Sequence, residues 1–232
     1  MMDCLVGITL SKIKYMNTKL ERIQFITSST ETLSHVDFAR KACEAGVKWI
    51  QYRNKNASSK TMWEEALKIK TVCKEFKAKL IINDNPNLAF EAGADGVHLG
   101  KEDVSIEEAR NLIGDKFIIG ASCNNIDDII RAQYEGANYV GLGPYQFTKT
   151  KSNLNSILDK SGFEEVMNDY AKNKLTIPVY AIGGVNADDV DFFLSIGIYG
   201  AAVSSALINS DNMSNAFQKF NSQFFQGKRI NI

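Results

Sequence analysis

The chain has 232 residues, of which 44% are hydrophobic and 23% charged, so it holds enough apolar material for one substantial core. This composition excludes a disordered, collagen-like or coiled-coil chain. The 27 Lys and Arg residues balance 27 Asp and Glu residues without a long run of either sign, so we expect no nucleic-acid partner.

The cysteines and the apolar runs indicate the compartment. Four cysteines lie far apart without a Cys-x-x-Cys pair, which is typical of reduced thiols and not of disulfides or zinc sites. The first apolar run, residues 5–10, follows an acidic residue, unlike the basic start of a signal peptide. No run approaches the roughly 20 apolar residues that span a bilayer. We therefore expect a cytoplasmic protein without a membrane partner.

From Ile23 onward, short runs rich in β-branched and aromatic residues alternate with stretches of helical spacing. The pattern predicts eight strands, at residues 23–27, 49–52, 80–83, 96–99, 117–122, 139–141, 178–182 and 200–203. It predicts helices at residues 36–45, 60–76, 86–92, 105–113, 125–135, 162–172, 188–196 and 212–224.

Eight strand–helix units in a chain of this length predict an α/β protein with a parallel closed sheet, a single (β/α)8 TIM barrel. We expect the barrel over residues 21–232, preceded by an N-terminal extension at residues 1–20. The alternative is an open doubly wound sheet, which usually carries Gly-x-Gly-x-x-Gly after its first strand. Residues 27–30, Thr-Ser-Ser-Thr, lack that turn, so the barrel is favoured.

Polar residues follow the predicted strands, at the end of the barrel where such proteins build their sites. Gln51, Arg53 and Lys55 follow the second strand in alternation, which points them to one side, and Lys151 follows the sixth. Guanidinium and ammonium groups suit phosphate oxygens. These residues therefore predict a polyanion site.

Two carboxylates, Asp84 and Asp103, fall in the same predicted mouth, after the third and fourth strands. They would repel a polyanion unless a hard cation lies between, and Mg²⁺ typically joins one or two carboxylates to a diphosphate. Alternatively, each aspartate could cap the helix that follows it. We favour a Mg²⁺ site because both are expected to lie close together.

A second anion site is expected on the far side of the mouth. The Gly183-Gly184 turn and Ser204-Ser205 follow the seventh and eighth strands, where barrels commonly bind phosphate through backbone amides. The mouth is therefore expected to hold two phosphorylated groups.

Six segments resemble, in order and spacing, the motifs of the thiamine phosphate synthase family. They are residues 51–55 (Gln-Tyr-Arg-Asn-Lys), 81–84 (Ile-Ile-Asn-Asp), 95–103, 120–122 (Gly-Ala-Ser), 143–151 and 181–184 (Ala-Ile-Gly-Gly). The resemblance extends from Ile23 to about Leu207. It implies a Mg²⁺-dependent transferase that joins 4-amino-2-methyl-5-hydroxymethylpyrimidine diphosphate to 4-methyl-5-(2-phosphoethyl)thiazole, giving thiamine phosphate and pyrophosphate.

The resemblance also implies a role for each matching residue, with Ser122, Lys151 and Arg53 as the catalytic set. The pyrimidine diphosphate would be held by Gln51, Arg53, Lys55, Asn83 and Lys151, and Mg²⁺ by Asp84 and Asp103. Ser122 would contact the diphosphate or the pyrimidine. The thiazole substrate would be bound by Thr148 and Thr150, and its phosphate by Gly184, Ser204 and Ser205.

The chain departs from the family pattern at two points. Asn124 stands where relatives often have a histidine, which argues against the related thiazole tautomerases because an amide cannot shuttle a proton. Residues 145–147, Tyr-Gln-Phe, change the start of a loop whose polar end is kept, which predicts altered packing there. The alternatives left open are a tautomerase-like enzyme and a non-catalytic regulatory barrel of the thiamine pathway; the oligomeric state is also left open.

Three other reactive residues are given ordinary structural roles. His98 lies inside a strand and is expected to be a packed, hydrogen-bonded histidine rather than a catalyst. His35 is expected on the surface at the start of a helix, and Cys123 is expected to be a buried small side chain.

Overall fold

A computed structural model of the protein describes residues 20–147 and 157–226. Eight parallel strands close into a barrel in chain order, with β8 paired to β1. The strands are β1 (Ile23–Ile26), β2 (Trp49–Tyr52), β3 (Lys79–Asn83), β4 (Gly96–Leu99), β5 (Ile118–Cys123), β6 (Tyr139–Leu142), β7 (Val179–Ile182) and β8 (Gly200–Val203). The predicted (β/α)8 barrel is confirmed.

Helices follow the strands and pack on the outside of the sheet. They are α1 (His35–Glu44), α2 (Ser59–Glu75), α3 (Pro86–Glu91), α4 (Ile106–Ile113), α5 (Ile126–Glu135), α6 (Asp159–Lys172), α7 (Val190–Ser195), α8 (Ser205–Ile208) and α9 (Met213–Gln226), with a 3₁₀ turn at Ala187–Asp189 before α7. The helix α8 was not predicted because four residues are too few to show a helical period.

Local sequence explains where several helices begin. Ser34 and Ser105 are N-caps of α1 and α4, and each forms a capping box with an acidic residue three positions later. Asn85 and Asn125 cap α3 and α5 through their side-chain oxygens. These caps fix the point at which each loop from the barrel mouth enters a helix.

The core has two parts. The larger part lies between the sheet and the helices, where outward-facing strand residues meet the apolar faces of the helices. The smaller part fills the amino-terminal half of the barrel interior, where the Trp49 ring packs edge-on against Tyr139 and Tyr180, with centroids 4.9 and 5.1 Å away. This aromatic layer forms the floor beneath a cavity at the other end.

The terminal regions add one observation each. Leu20 is buried and its carbonyl accepts a hydrogen bond from the Tyr199 hydroxyl, while residues 1–19 lie outside the described residues, so the predicted domain boundary stays a prediction. Within the described ranges, no helix has the length and apolar character needed to cross a bilayer.

Candidate active site

A cavity opens at the carboxyl ends of the strands and encloses about 960 Å³, including the part open to solvent. Its walls contain most of the side chains that the sequence nominates: Gln51, Arg53, Lys55, Asn83, Asp84, Ser122, Gly184, Ser204 and Ser205. These residues come from five different strands and meet at one rim, as the barrel topology requires.

The charged side of the mouth is centred on Asp84. Lys55 Nζ lies 2.7 Å from Asp84 Oδ2, which joins the loops after β2 and β3. The backbone of Asp84 has a positive φ of 65°, and its N–H donates to the His98 carbonyl at 2.8 Å. This left-handed conformation turns the chain over the end of β4 and directs the carboxylate into the cavity.

Asp103 meets Asp84 at the same place. Its Oδ2 accepts the Gly100 N–H at 2.6 Å, and the Asp84 carboxylate lies on the same side of Gly100. Burial raises the pKa of Asp103, and the Asp84 carboxylate raises it further, while the Gly100 amide and Lys55 oppose the shift. Two carboxyl groups in contact thus share a partly buried position, which is costly while both are charged.

Both aspartates are left available for the mouth because other residues cap the helices. Asn85, and not Asp84, accepts the Leu88 N–H at the start of α3. Ser105, and not Asp103, accepts the Glu108 N–H in α4. The capping alternative for the two aspartates is therefore not the arrangement in this structure.

Arg53 lies beside this carboxylate pair and is anchored from behind. Its backbone N–H donates to the Thr27 hydroxyl at 3.2 Å, and Thr27 Oγ1 is 2.9 Å from His35 Nδ1. Burial lowers the pKa of Arg53, an effect that Asp84 opposes. The guanidinium keeps its charge over the working pH range because its ordinary pKa is so high.

The expectation for His35 is wrong. The residue does begin α1, but only 5% of it is exposed, and its ring packs edge-on against Tyr52 with centroids 5.5 Å apart. Thr27, at the end of β1, provides the hydrogen-bond partner that draws the ring inward. The pattern of polar and apolar residues does not show this contact, because Thr27 and His35 meet only in the folded structure.

The side of the mouth formed after β6, β7 and β8 carries no charged side chain among the described cavity-lining residues. Gly183 and Gly184 have positive φ angles of 86° and 72°, and a Cβ on either would lie 2.7–2.8 Å from the Cβ of Pro144 or Gln146. The N–H groups of Tyr145 and Gln146 donate to Ile182 and Gly183 at 2.9 Å. Only glycine allows the two loops this close approach.

Ser204 supplies an unusual polar atom to this neutral side. Its Oγ is buried and has no hydrogen-bond partner within the part of the chain that the structure describes. Buried hydroxyls in native proteins are nearly always hydrogen-bonded, so an unpaired one in a residue that lines a cavity is unusual.

Ser122 lies between the two sides and contacts the barrel interior. Its Oγ is 3.0 Å from His98 Nε2, and His98 Nδ1 is 3.0 Å from the Tyr139 hydroxyl. His98 is buried, which confirms that it is a packed, hydrogen-bonded residue. Cys123 is also buried as predicted, and burial raises the pKa of its thiol to about 12.

The two departures from the family pattern have clear packing roles. The Asn124 side chain donates to the Gly143 carbonyl, which links the loops after β5 and β6. Tyr145 is buried against Phe163 and Phe193, and its hydroxyl donates to Asp189 at 3.2 Å. The expected contacts of Thr148, Thr150 and Lys151 lie outside the described residues.

Sequence reasoning did not identify Gln24 as a residue near the site. This side chain is 1% exposed within β1 and bonds to both Gln51 and Tyr139. A signal was present, because an amide within the apolar run at residues 23–26 is unusual in a buried strand. Without knowledge of its neighbours, however, the sequence offers no partner for it.

The closed barrel and its polar mouth define the class of protein as a (β/α)8-barrel enzyme that binds small molecules at the carboxyl ends of its strands. The sequence profile of the family described as thiamine monophosphate synthase matches residues 23–207. The chain belongs to this family.

Individual relatives agree with the family match. The thiamine-phosphate synthase of Flavobacterium johnsoniae is 40% identical over 204 residues, covering 88% of this chain and 96% of the relative. That of Bacteroides fragilis is 42% identical over 188 residues, covering 81% and 92%. Among solved structures, a thiamine phosphate pyrophosphorylase from Pyrococcus furiosus superposes with a TM-score of 0.76 at 30% identity, covering 89% of this chain and 96% of that one.

Proposed function

We propose that this protein is a Mg²⁺-dependent transferase that makes thiamine phosphate from the pyrimidine diphosphate and the thiazole phosphate named above. The bond between the pyrimidine methylene carbon and the diphosphate oxygen breaks, and its electron pair leaves with pyrophosphate. The thiazole nitrogen then forms a new bond to that carbon. The observation that carries the proposal is that Asp84, Lys55 and Arg53 line one edge of the cavity, while Asp103 approaches Asp84 from an adjoining cleft.

The charged side is suited to the diphosphate and to a hard cation. Asp84 and Asp103 approach the same point, since a Cβ on Gly100 would lie 3.0 Å from Asp103 Oδ2 and 3.9 Å from Asp84 Oδ1. Two carboxylates with phosphate oxygens and water form a typical Mg²⁺ ligand set. When bound there, Mg²⁺ would supply positive charge to the diphosphate and relieve the repulsion between the aspartates.

Arg53 and Lys55 have the charge and position to neutralise the departing pyrophosphate, and we assign Lys151 the same task. Gln51 and Asn83 provide amide groups in the same wall for the pyrimidine substrate. Ser122 provides a hydroxyl to the reacting groups. Stabilising a leaving group in this way needs neither a protein nucleophile nor a strong base, which agrees with the buried, high-pKa thiol of Cys123.

The neutral side is suited to the monophosphate of the thiazole substrate. Gly184, Ser204 and Ser205 line the cavity, and the unpaired Ser204 hydroxyl is available to a phosphate oxygen. We assign the thiazole ring to Thr148 and Thr150. Binding at separate sides of one cavity would hold the thiazole nitrogen next to the methylene carbon.

The test is pyrophosphate release, measured with each substrate alone and with both together, with and without Mg²⁺. We expect release only when both substrates and Mg²⁺ are present, accompanied by stoichiometric thiamine phosphate. A tautomerase-like enzyme would isomerise a thiazole carboxylate phosphate without pyrophosphate, and a regulatory barrel would bind ligand in calorimetry without turnover. Either result would overturn the proposal.

A further inference from the structure

A chain of hydrogen bonds crosses the inside of the barrel and ends at the cavity. Gln51 Nε2 donates to Gln24 Oε1 at 3.0 Å, and Gln24 Nε2 donates to the Tyr139 hydroxyl at 3.0 Å. Tyr139 is 3.0 Å from His98 Nδ1, and His98 Nε2 is 3.0 Å from Ser122 Oγ. Five strands thus contribute to one continuous network, whose members other than Ser122 are at least 96% buried.

The direction of the network is set at Tyr139. Gln24 Nε2 donates to the phenol oxygen, and an amide nitrogen cannot accept the phenol proton in return. A buried hydroxyl needs an acceptor for its own proton. The Tyr139 proton is therefore directed at the other polar contact of the phenol in the described structure, His98 Nδ1.

This direction determines the state of the imidazole and then of the serine. If Nδ1 accepts, His98 is neutral with its proton on Nε2, and Nε2–H donates to Ser122 Oγ. Ser122 Oγ then accepts the hydrogen bond from His98, and the serine hydroxyl keeps its own proton. Ser122 lines the cavity, so that proton is available to a bound molecule.

We infer that Gln24, Tyr139 and His98 are positioning residues that make Ser122 a hydrogen-bond donor toward the leaving diphosphate. This inference rests on the proposed function. An oxygen that gains negative charge as its bond to carbon breaks needs donors that are already aimed at it. The arrangement is the reverse of a hydrolase triad, in which the histidine takes the serine proton.

Close packing positions the phenol ring of the network. A Cβ on Gly120, two residues before Ser122 in β5, would lie 2.1 Å from Tyr139 Cζ, so the phenol ring rests directly on the glycine backbone. A Cβ on Gly141 would lie 3.5 Å from His98 Cε1, an ordinary packing distance. The close approach at Gly120 therefore limits the movement of the phenol ring, from which the direction of the hydrogen bonds is set.

The direct test is the tautomer of His98, read from ¹⁵N–¹H correlation spectra of histidine-labelled protein. The chain has two histidines, so His35→Asn assigns the signals. We expect His98 as the neutral Nε2–H tautomer with an unprotonated Nδ1. An Nδ1–H tautomer or an imidazolium would overturn the inference, whatever the enzyme's activity.

Tyr139→Phe tests the effect on the reaction, because it removes the hydroxyl and keeps the ring on Gly120. We expect kcat to fall about 10- to 100-fold with both KM values within about twofold, and the His98 tautomer signals to change. His98→Gln, whose amide can reach Ser122, should retain more activity than His98→Asn, whose amide is one carbon shorter.

The outcomes separate the two proposals. If the wild-type protein releases no pyrophosphate, the proposed function fails, while the tautomer spectrum still decides the direction of the network. If the wild-type protein is active and Tyr139→Phe leaves both kcat and the His98 signals unchanged, the inference fails and the proposed function stands. Thermal unfolding identifies a misfolded variant, in which case the wild-type spectrum decides.

Discussion

The two sides of the barrel mouth are built by different physical means. After β2 and β3 the cavity is lined by charged side chains, held by an ion pair between Lys55 and Asp84 and by the approach of Asp103, from the loop after β4, to Asp84. After β6, β7 and β8 it is lined by glycine backbone and hydroxyls, held by backbone hydrogen bonds between neighbouring loops.

The difference shows what each way of binding an anion requires. Charged groups near a protein interior must be paired, because an isolated buried charge is strongly destabilised. The charged side therefore depends on side-chain chemistry and on a counter-ion. A backbone cradle needs no charge, but it depends on conformations open only to glycine. Substitutions on the two sides should consequently fail in different ways, in turnover on one and in stability or binding on the other.

The largest expected effect is from Asp84→Asn on the charged side. Turnover should fall by about 10²- to 10³-fold, because the carboxylate that would bind the cation is lost. The melting temperature should change little, since the Lys55 side chain is 51% exposed and such ion pairs contribute little to stability. Pyrophosphate release and thermal unfolding measure the two effects.

A matched control for this substitution is Asp188→Asn. It makes the same chemical change in an exposed ion pair with Lys219, in which the Asp188 side chain is 81% exposed. Wild-type turnover is expected for it. Full activity in Asp84→Asn with unchanged Mg²⁺ dependence would show that the charged side does not hold the metal.

On the neutral side, Gly183→Ala should act through stability. The new Cβ would meet Pro144 Cβ at 2.7 Å and Pro144 Cα at 2.8 Å, with φ held at 86°. We expect the free energy of unfolding in urea to fall by about 1–3 kcal/mol. Gly136→Ala is the control, because its φ is 90° and a Cβ there meets nothing within 4 Å. Equal losses of unfolding free energy in the two variants would show that the close approach of the loops at Gly183 adds no cost to the substitution.

Ser204→Ala should affect binding alone. Removing a hydroxyl without a partner in the described structure should not lower the free energy of unfolding. Loss of one hydrogen bond to a charged phosphate should raise KM for the thiazole phosphate about tenfold, with KM for the diphosphate unchanged. Ser210→Ala removes a 2.7 Å hydrogen bond to the Leu207 carbonyl. It should lower the free energy of unfolding and leave both KM values unchanged. Steady-state kinetics in which each substrate is varied separately measure the two KM values. An unchanged KM for the thiazole phosphate in Ser204→Ala would contradict the prediction.

The smallest expected effect is a dependence of stability on pH that originates behind the charged side. Burial lowers the pKa of His35, Glu65 opposes this shift, and Arg53 adds to it. The folded state therefore binds a proton less readily than the unfolded chain, whose histidine titrates near about 6.5. Stability is fully present above that pH and declines as the pH falls below it.

His35→Asn should flatten this decline, because the amide can replace the contact of Nδ1 with the Thr27 hydroxyl without titrating. Urea unfolding of both proteins between about pH 8 and pH 5 measures the slope. As the pH is lowered, backbone amides at residues 51–53 should lose protection from hydrogen exchange, corrected for the intrinsic rate, before those at residues 181–184. Parallel slopes in the two proteins would show that His35 does not set the acid response.

Much of the fold was predictable because it depends on local patterns. The strands of the structure begin and end within one or two residues of the predicted ones, since alternation and glycine turns act over short distances. Asp84, Asp103, Gly184 and Ser204 were nominated on the simple ground that they follow strands. That ground works because a parallel barrel gathers all its carboxyl ends at one rim.

Three features of the site were not accessible in this way. His35 was misplaced because its partner Thr27, which directly follows β1, meets it only in the folded chain. Gln24 could not be given a role from the sequence, because its hydrogen-bond partner Tyr139 is 115 positions away in the chain. The direction of the bond between His98 and Ser122 depends on which groups contact the Tyr139 hydroxyl in the barrel interior.

The sequence by itself determined the number of strand–helix units, the turns that join them, and the kind of chemistry at each strand end, because each follows from residues close together in the chain. The tertiary structure alone decided which side chains meet, which carboxylates repel each other, and which hydroxyl remains unpaired. Those properties depend on distances and solvent exposure, and the closure of the barrel sets both at once for residues far apart in sequence.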